Sequence, residues 1–172
     1  MFTEQEIKIA NSTSRSAGAS AFNKDGTIRA VVPIFVEHNV NKNNRVLDFG
    51  AGKGAVHTKY LRSLGFNVTA YDFGNNCSSD HDANALLNKY DTVFASNVLN
   101  VSSSLGMLLT TLNQIYNALE NGGEFICNYP TSPRKLSITP KDLKSIVEMK
   151  FGNCVELVAG TKSAPVWKIN KK

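Results

Sequence analysis

Four short apolar runs, at residues 45–49, 67–71, 91–96 and 124–129, punctuate the chain at intervals long enough to hold a helix. Runs that are continuously apolar suit strands covered on both faces, and their alternation with helical segments predicts a parallel sheet in an α/β domain. Between them Val56, Tyr60, Leu61 and Leu64 recur at helical spacing, as do Leu105, Leu108, Leu109, Leu112, Ile115, Tyr116 and Leu119. Gly122-Gly123 reads as the stop of the second helix. Thr139-Pro140 supplies an N-cap and a first-turn proline for a helix reaching about Lys150. The runs 154–159 and 165–169, separated by Gly160-Thr161-Lys162-Ser163, read as a terminal β-hairpin. Ahead of the first strand, residues 11–26 are rich in Ser, Asn, Ala and Gly and read as a loop. Residues 28–38 read as a short helix in spite of Pro33.

Composition leaves that picture standing and narrows it. The 172 residues, 42% hydrophobic and 19% charged, make one globular domain and exclude a disordered or repetitive chain. The expected organisation is a lead-in and cap over 1–43, a core over 44–130 and a C-terminal helix and hairpin over 131–172. No apolar stretch approaches a membrane span, and residues 1–11 carry two glutamates, so a soluble, cytoplasmic protein is expected. Cys77, Cys127 and Cys154 are far apart and lack the spacing of a zinc or redox site, so no metal is expected.

Charge is more telling by position than by sum. The net charge is +5, yet residues 1–130 hold 10 basic and 11 acidic side chains, whereas residues 131–172 hold 9 and 3. The C-terminal excess reads either as a solvated face or as a surface with weak affinity for nucleic acid or another polyanion.

The chemistry concentrates in Val46-Leu47-Asp48-Phe49-Gly50-Ala51-Gly52-Lys53-Gly54, a strand that runs into a glycine-rich turn opening a helix. Glycines there let the backbone turn sharply and let a ligand approach main-chain N–H groups at the carboxyl end of the strand. With Ala55 the turn also fits G-x-G-x-x-G/A, which keeps a nicotinamide or flavin enzyme open as an alternative. Asp48 weighs against that alternative, since a carboxylate at the strand's end suits a cofactor with an amino-acid terminus. Asp72 ends the next strand, 20 residues after Gly52, where a carboxylate can accept both hydroxyls of a ribose. Residues 82–86 and 90–100 then bring a further strand and its polar end towards the same crevice.

In this order the residues resemble the class I S-adenosylmethionine-dependent methyltransferases, over roughly residues 44–130. The look is closest to small members carried by phages or found near DNA-modification loci, which pair a D-x-G-x-G-x-G turn with a strand ending in N-V-L-N-V. The resemblance implies a Rossmann-like domain with helices on both faces. Its sheet would be mostly parallel and seven-stranded, closed by the C-terminal antiparallel hairpin. It implies S-adenosylmethionine as cofactor, leaving as S-adenosylhomocysteine. It assigns Asp48, Gly50, Gly52 and Gly54 to the first motif, Asp72 to the ribose and Phe73 to the adenine. Asp82 and Ala83 would meet the adenine amino group and ring nitrogen, and Ser96 and Asn97 would lie beside the methionine moiety and methyl group.

Departures from the family limit the substrate. The Asp/Asn/Ser-Pro-Pro-aromatic clamp of base-amine and glutamine methylation is missing where Ser96-Asn97-Val98-Leu99 stands, and no cysteine follows a proline, as carbon-5 cytosine methylation requires. Asn97 and Tyr129 are the candidates for orienting a nucleophile. Arg134, after Pro130 and Pro133, is either part of a proline-fixed turn or a clamp on an anionic substrate. Ser14, Arg15, Ser16 and Gly18 are either a mobile lead-in or a cover over the cofactor. His57 reads as a packing residue, and Trp167 as a core aromatic with base stacking the sharper alternative. The methyl acceptor is unidentified, and a cofactor-binding module without catalysis is a further alternative.

Overall fold

The computed structural model describes residues 2–16, 22–73 and 76–172, residues 14–16 by their backbone alone. Strands β1 (Arg45–Phe49), β2 (Asn67–Tyr71), β3 (Tyr90–Ala95), β4 (Leu119–Asn128), β5 (Glu156–Gly160) and β6 (Pro165–Asn170) form one sheet in the order β2-β1-β3-β4-β6-β5. The first four are parallel, and β6 runs antiparallel to both β4 and β5. All four carboxyl ends therefore open on one edge of the sheet, and the β5–β6 hairpin turn returns to that edge.

The sheet has six strands among the described residues rather than seven. Beyond β2 the described residues add only a single parallel bridge, Ala70 to His81. The segment offers little to bury: apart from Cys77 and Ala83 residues 76–84 are polar, and Asp82 Oδ1 accepts the Asn84 N–H at 2.8 Å in a tight side-chain turn that competes with strand pairing.

Helices α2 (Val31–Asn39) and α3 (Val56–Ser63) cover one face and α4 (Leu105–Ala118) and α5 (Pro140–Phe151) the other. Strand alternation divides the core accordingly: Val46, Phe94 and Ile126 pack with Val32, Val36 and Leu61, whereas Leu47, Val93, Phe125 and Cys127 pack with Leu112, Leu143 and Val147. Pro33 sits in the first turn of α2, where its missing N–H has no intrahelical acceptor to lose.

Two expectations fail for local reasons. Residues 11–16 are not loop but the second half of α1 (Glu4–Ser16). Its start is a capping box: Glu6 N–H donates to Thr3 Oγ1 at 3.1 Å, and Thr3 N–H to Glu6 Oε2 at 2.9 Å. Nor do Gly122 and Gly123 stop α4, which ends at Ala118; they lie inside β4, where its register with β3 shifts between Tyr90 and Thr92. A side chain at Gly123 would come within 2.9 Å of Glu120 O and 3.1 Å of Asp91 O, so this irregular stretch needs a glycine.

Candidate active site

The site starts at the carboxyl end of β1. Gly50 (φ 79°) and Gly52 (φ 75°) take left-handed backbone conformations, and the N–H groups of Gly50 and Ala51 both donate to Tyr71 O, at 2.8 and 2.9 Å. A Cβ on Gly50 would fall 2.6 Å from Val98 Cγ2, so glycine is required for packing as well as for its φ. A Cβ on Gly52 would meet nothing within 4 Å, which leaves its backbone approachable from the crevice.

Two side chains hold Gly52 between them. Its N–H donates to Asp72 Oδ2 at 2.6 Å, and its carbonyl lies 2.9 Å from His81 Nε2. Because Ser78 N–H donates to His81 Nδ1 at 3.1 Å, Nδ1 is the acceptor nitrogen and Nε2 carries the proton given to Gly52 O. His81 was missed in the sequence because its ligand-like residue type served no recognisable motif; it braces the turn from a segment 29 residues away.

Asp72, buried at the end of β2, also accepts from Phe73 N–H at 2.7 Å and Asn76 Nδ2 at 3.1 Å, both at Oδ1. Three of roughly four lone-pair positions on its carboxylate are thus in use. Asn76 donates in turn to Asn11 Oδ1 of α1 at 2.7 Å. Helix α1 crosses the carboxyl edge, with Ala10 packed against Val101 and Met107 and joined by Phe2 and Phe73. Ser104, the N-cap of α4, donates to Glu6 at 2.8 Å and fixes the other end of α1.

Of the expected residues, the structure gathers Gly50, Gly52, Asp72, Phe73 and Asn97 around one crevice. Ala10, Asn11, Asn76, Val98 and Val101 complete it, leaving a space of about 60 Å³ under α1. Asn97 (φ 57°) follows β3 and is paired with a residue the sequence reading missed, Asn128 at the end of β4. Asn97 N–H donates to Asn128 Oδ1, and Asn128 Nδ2 donates to Asn97 Oδ1, each at 2.7 Å. The one available signal was a polar residue directly after the apolar run Phe125-Ile126-Cys127.

The remaining expected residues lie elsewhere. Asp48 shares the sheet face of Val46, so alternation turns it under α3 and away from the crevice, where Thr58 Oγ1 donates to it at 2.6 Å. Burial, with the nearby Asp72 charge adding to it against the Thr58 bond, pushes its carboxyl up to about 7. Gly54 abuts Val56 at the start of α3. Asp82 is engaged in its own turn and Ala83 is exposed; neither lines the crevice. The Ser96 hydroxyl is buried with no hydrogen-bond partner among the described residues.

Tyr129 is no nucleophile-orienting group in this arrangement: its ring is buried and its hydroxyl donates to Ile138 O at 2.8 Å. Arg134 stacks on that ring at 3.9 Å and gives its donors to three carbonyls, Pro130 O, Tyr129 O and Ser163 O, at 2.7, 3.0 and 2.9 Å. The guanidinium is therefore a staple between the loop after β4 and the hairpin, and those donors are not free for substrate. Burial lowers the His57 pKa, and Trp167 lies in the core. The side chains of residues 14–16, and Gly18, lie outside the described residues.

The sequence model of a methyltransferase-domain family matches residues 23–154. No curated protein matches the chain by sequence. A TehB-like SAM-dependent methyltransferase from Corynebacterium glutamicum superposes with a TM-score of 0.66 at 16% identity, covering 96% of this chain and 99% of that one. The 1,6-didemethyltoxoflavin-N1-methyltransferase of Burkholderia thailandensis, solved with bound 1,6-didemethyltoxoflavin and S-adenosylhomocysteine, gives 0.65 at 17%, covering 100% and 92%. Magnesium protoporphyrin IX methyltransferase from Synechocystis, with bound SAM, gives 0.59 at 14%, covering 98% and 83%. At such identities the structures speak for the fold, while the family match spans most of the sequence. On that match, following the strand–glycine turn–helix crevice described above, the chain belongs to the methyltransferase-domain family.

Proposed function

We propose that this chain catalyses direct methyl transfer from S-adenosylmethionine bound at the glycine turn, where α1 would move off the crevice of about 60 Å³ to admit the cofactor. The observation that carries the reading is the Asp72–Gly52 hydrogen bond, which holds a ribose-type carboxylate against an approachable glycine backbone. The orphaned Ser96 hydroxyl beside Asn97 fits the same reading, since a buried hydroxyl without a partner costs about 1–3 kcal/mol until a ligand supplies one. When bound, the cofactor supplies a sulfonium-activated methyl carbon; the acceptor's lone pair forms the new bond as the carbon–sulfur pair returns to sulfur.

The protein's share is placement. Asp72 would take the ribose hydroxyls with its open lone pair and by releasing the Asn76 amide, and Phe73 would border the adenine. Asn97, fixed by Asn128, would present its free amide donors beside the acceptor. Asp48 would act indirectly, holding β1 to α3 beneath the turn. The nicotinamide alternative is not favoured, because the family match is to methyltransferases.

The N-V-L-N-V stretch at 97–101 is what supports likening the chain to phage-borne members. No helix among the described residues is long and apolar enough to cross a membrane, which is compatible with a cytoplasmic site of action. Thermal-shift titration with S-adenosylhomocysteine and with NADH tests the cofactor: stabilisation by the first alone is expected. Transfer of labelled methyl from S-adenosylmethionine to cell extract, before and after nuclease or protease treatment, tests catalysis and sorts the acceptor.

A further inference from the structure

The basic residues of 131–172 do not form one surface. Lys171 is buried, and its ammonium donates to Tyr116 O and Leu119 O at 2.8 and 2.9 Å. Lys150 donates to Asn113 Oδ1 at 2.6 Å, Lys168 pairs with Glu156 at 3.7 Å, and Arg134 is spent on carbonyls. By contrast, Lys141, Lys144 and Lys162 surround a groove of about 390 Å³ between the first turns of α5 and the β5–β6 hairpin. Of these three, only Lys144 has an ion-pair partner among the described residues, Glu148 at 3.7 Å, an exposed pair worth little.

The floor of the groove is apolar, made by Leu157, Trp167, Pro140 and Pro165. It stays open because β5 is the edge strand and α5 packs over β6; Leu157, opposite Trp167 in the register, is 51% exposed. An apolar floor ringed by cations selects a ligand with a flat apolar body and an anionic group. A second copy of the chain would bring the same cations into contact with themselves, at a net charge of +5 per copy. A nucleic-acid strand would need a longer run of unpaired cations, but Lys144 and Lys168 are each paired with a carboxylate, Glu148 and Glu156. The volume falls in the usual range for small-molecule sites.

We propose that this groove binds a small aryl anion, an aromatic phosphate or carboxylate, at a site separate from the methyl-transfer crevice. The assignment does not rest on the cofactor reading. Trp167, the only tryptophan in the sequence, gives a direct reporter. Phenyl phosphate is titrated against Trp167 fluorescence and the backbone amide signals of Lys141 and Leu157, beside inorganic phosphate, benzyl alcohol and a twelve-residue oligothymidylate. Phenyl phosphate is expected to bind at least tenfold more tightly than inorganic phosphate or benzyl alcohol. The triple variant Lys141→Gln, Lys144→Gln, Lys162→Gln should lose at least tenfold of that affinity with its melting temperature and S-adenosylhomocysteine binding unchanged. Equal binding of phosphate and phenyl phosphate, or no saturable change at Trp167, would overturn the site. Oligothymidylate binding a hundredfold more tightly, with steep salt dependence, would overturn the small-ligand assignment in favour of a nucleic-acid surface.

Discussion

Asn97 and Asn128 close a reciprocal hydrogen-bonded pair across the ends of β3 and β4, 2.7 Å in each direction. The backbone N–H of Asn97 can only donate, so the Asn128 oxygen must face it. The Asn128 NH₂ must then face the Asn97 oxygen, which leaves the Asn97 NH₂ as the free donor of the pair. The same pair holds Asn97 at φ 57°, a conformation asparagine tolerates better than most residues. Asn128→Leu should lower stability by about 1–3 kcal/mol, because a polar group is left unpaired, and should weaken S-adenosylhomocysteine binding. Asn128→Asp, which still accepts the Asn97 N–H, should keep most of that stability. Urea denaturation of both variants is the check; equal midpoints for Leu and wild type would show that the pair contributes nothing in solution.

Gly50 and Val98 make a second coupled pair. Gly50→Ala forces an L-residue to φ 79° and drives its Cβ to 2.6 Å from Val98 Cγ2. The left-handed backbone costs about 1–2 kcal/mol and the overlap about 1–3 kcal/mol. Adding Val98→Ala should recover the second part and not the first. A double-mutant cycle by thermal denaturation reads the coupling, and strict additivity of the two changes would refute the close approach.

Much of this was legible in the sequence because it depends on local pattern. The four parallel strands, the glycine turn, Asp72 and the Thr139-Pro140 start of α5 all announce themselves through apolar runs or residues with one conformational use. What was hidden depends on direction and distance. Asp48 lies in the right motif, yet strand alternation sends its carboxyl beneath α3. Arg134 stayed open between a turn residue and a substrate clamp because nothing in a sequence says that the carbonyls of Tyr129, Pro130 and Ser163 converge on it. Asn76, His81 and Asn128 acquire roles only through partners up to 65 residues away. The capping box Thr3-Glu4-Gln5-Glu6 was legible as a helix start and went unread.

Asp48 gives the fold a pH signature. Its carboxyl is raised from an ordinary 3.8 to about 7, chiefly by burial, so the folded state holds a proton that the unfolded chain has lost between those values. This contribution is fully present below about pH 4 and is lost as pH rises through about 7. Asp48→Asn should therefore match wild type near pH 4 and exceed it by about 2–4 kcal/mol at pH 8. Denaturation curves of the two proteins across that range provide the test; a constant difference at every pH would contradict the buried, proton-holding carboxyl.

Arg134 should behave as a staple. Arg134→Ala removes three hydrogen bonds to carbonyls and the stacking on Tyr129, and should lower stability by about 1–3 kcal/mol with the affinity for S-adenosylhomocysteine unchanged. Full stability together with abolished methyl transfer would return Arg134 to the role of substrate clamp.

The most direct measurement is calorimetric titration of S-adenosylhomocysteine into wild-type protein and Asp72→Asn, with NADH as the comparison ligand. Wild type should bind S-adenosylhomocysteine and not NADH. Asp72→Asn should bind at least tenfold more weakly and lose about 1–3 kcal/mol of stability, because one amide oxygen cannot serve both the Gly52 and Phe73 N–H groups and a ribose as well. Binding of NADH in place of S-adenosylhomocysteine, or an Asp72→Asn protein that binds S-adenosylhomocysteine as tightly as wild type, would contradict the assignment of this crevice.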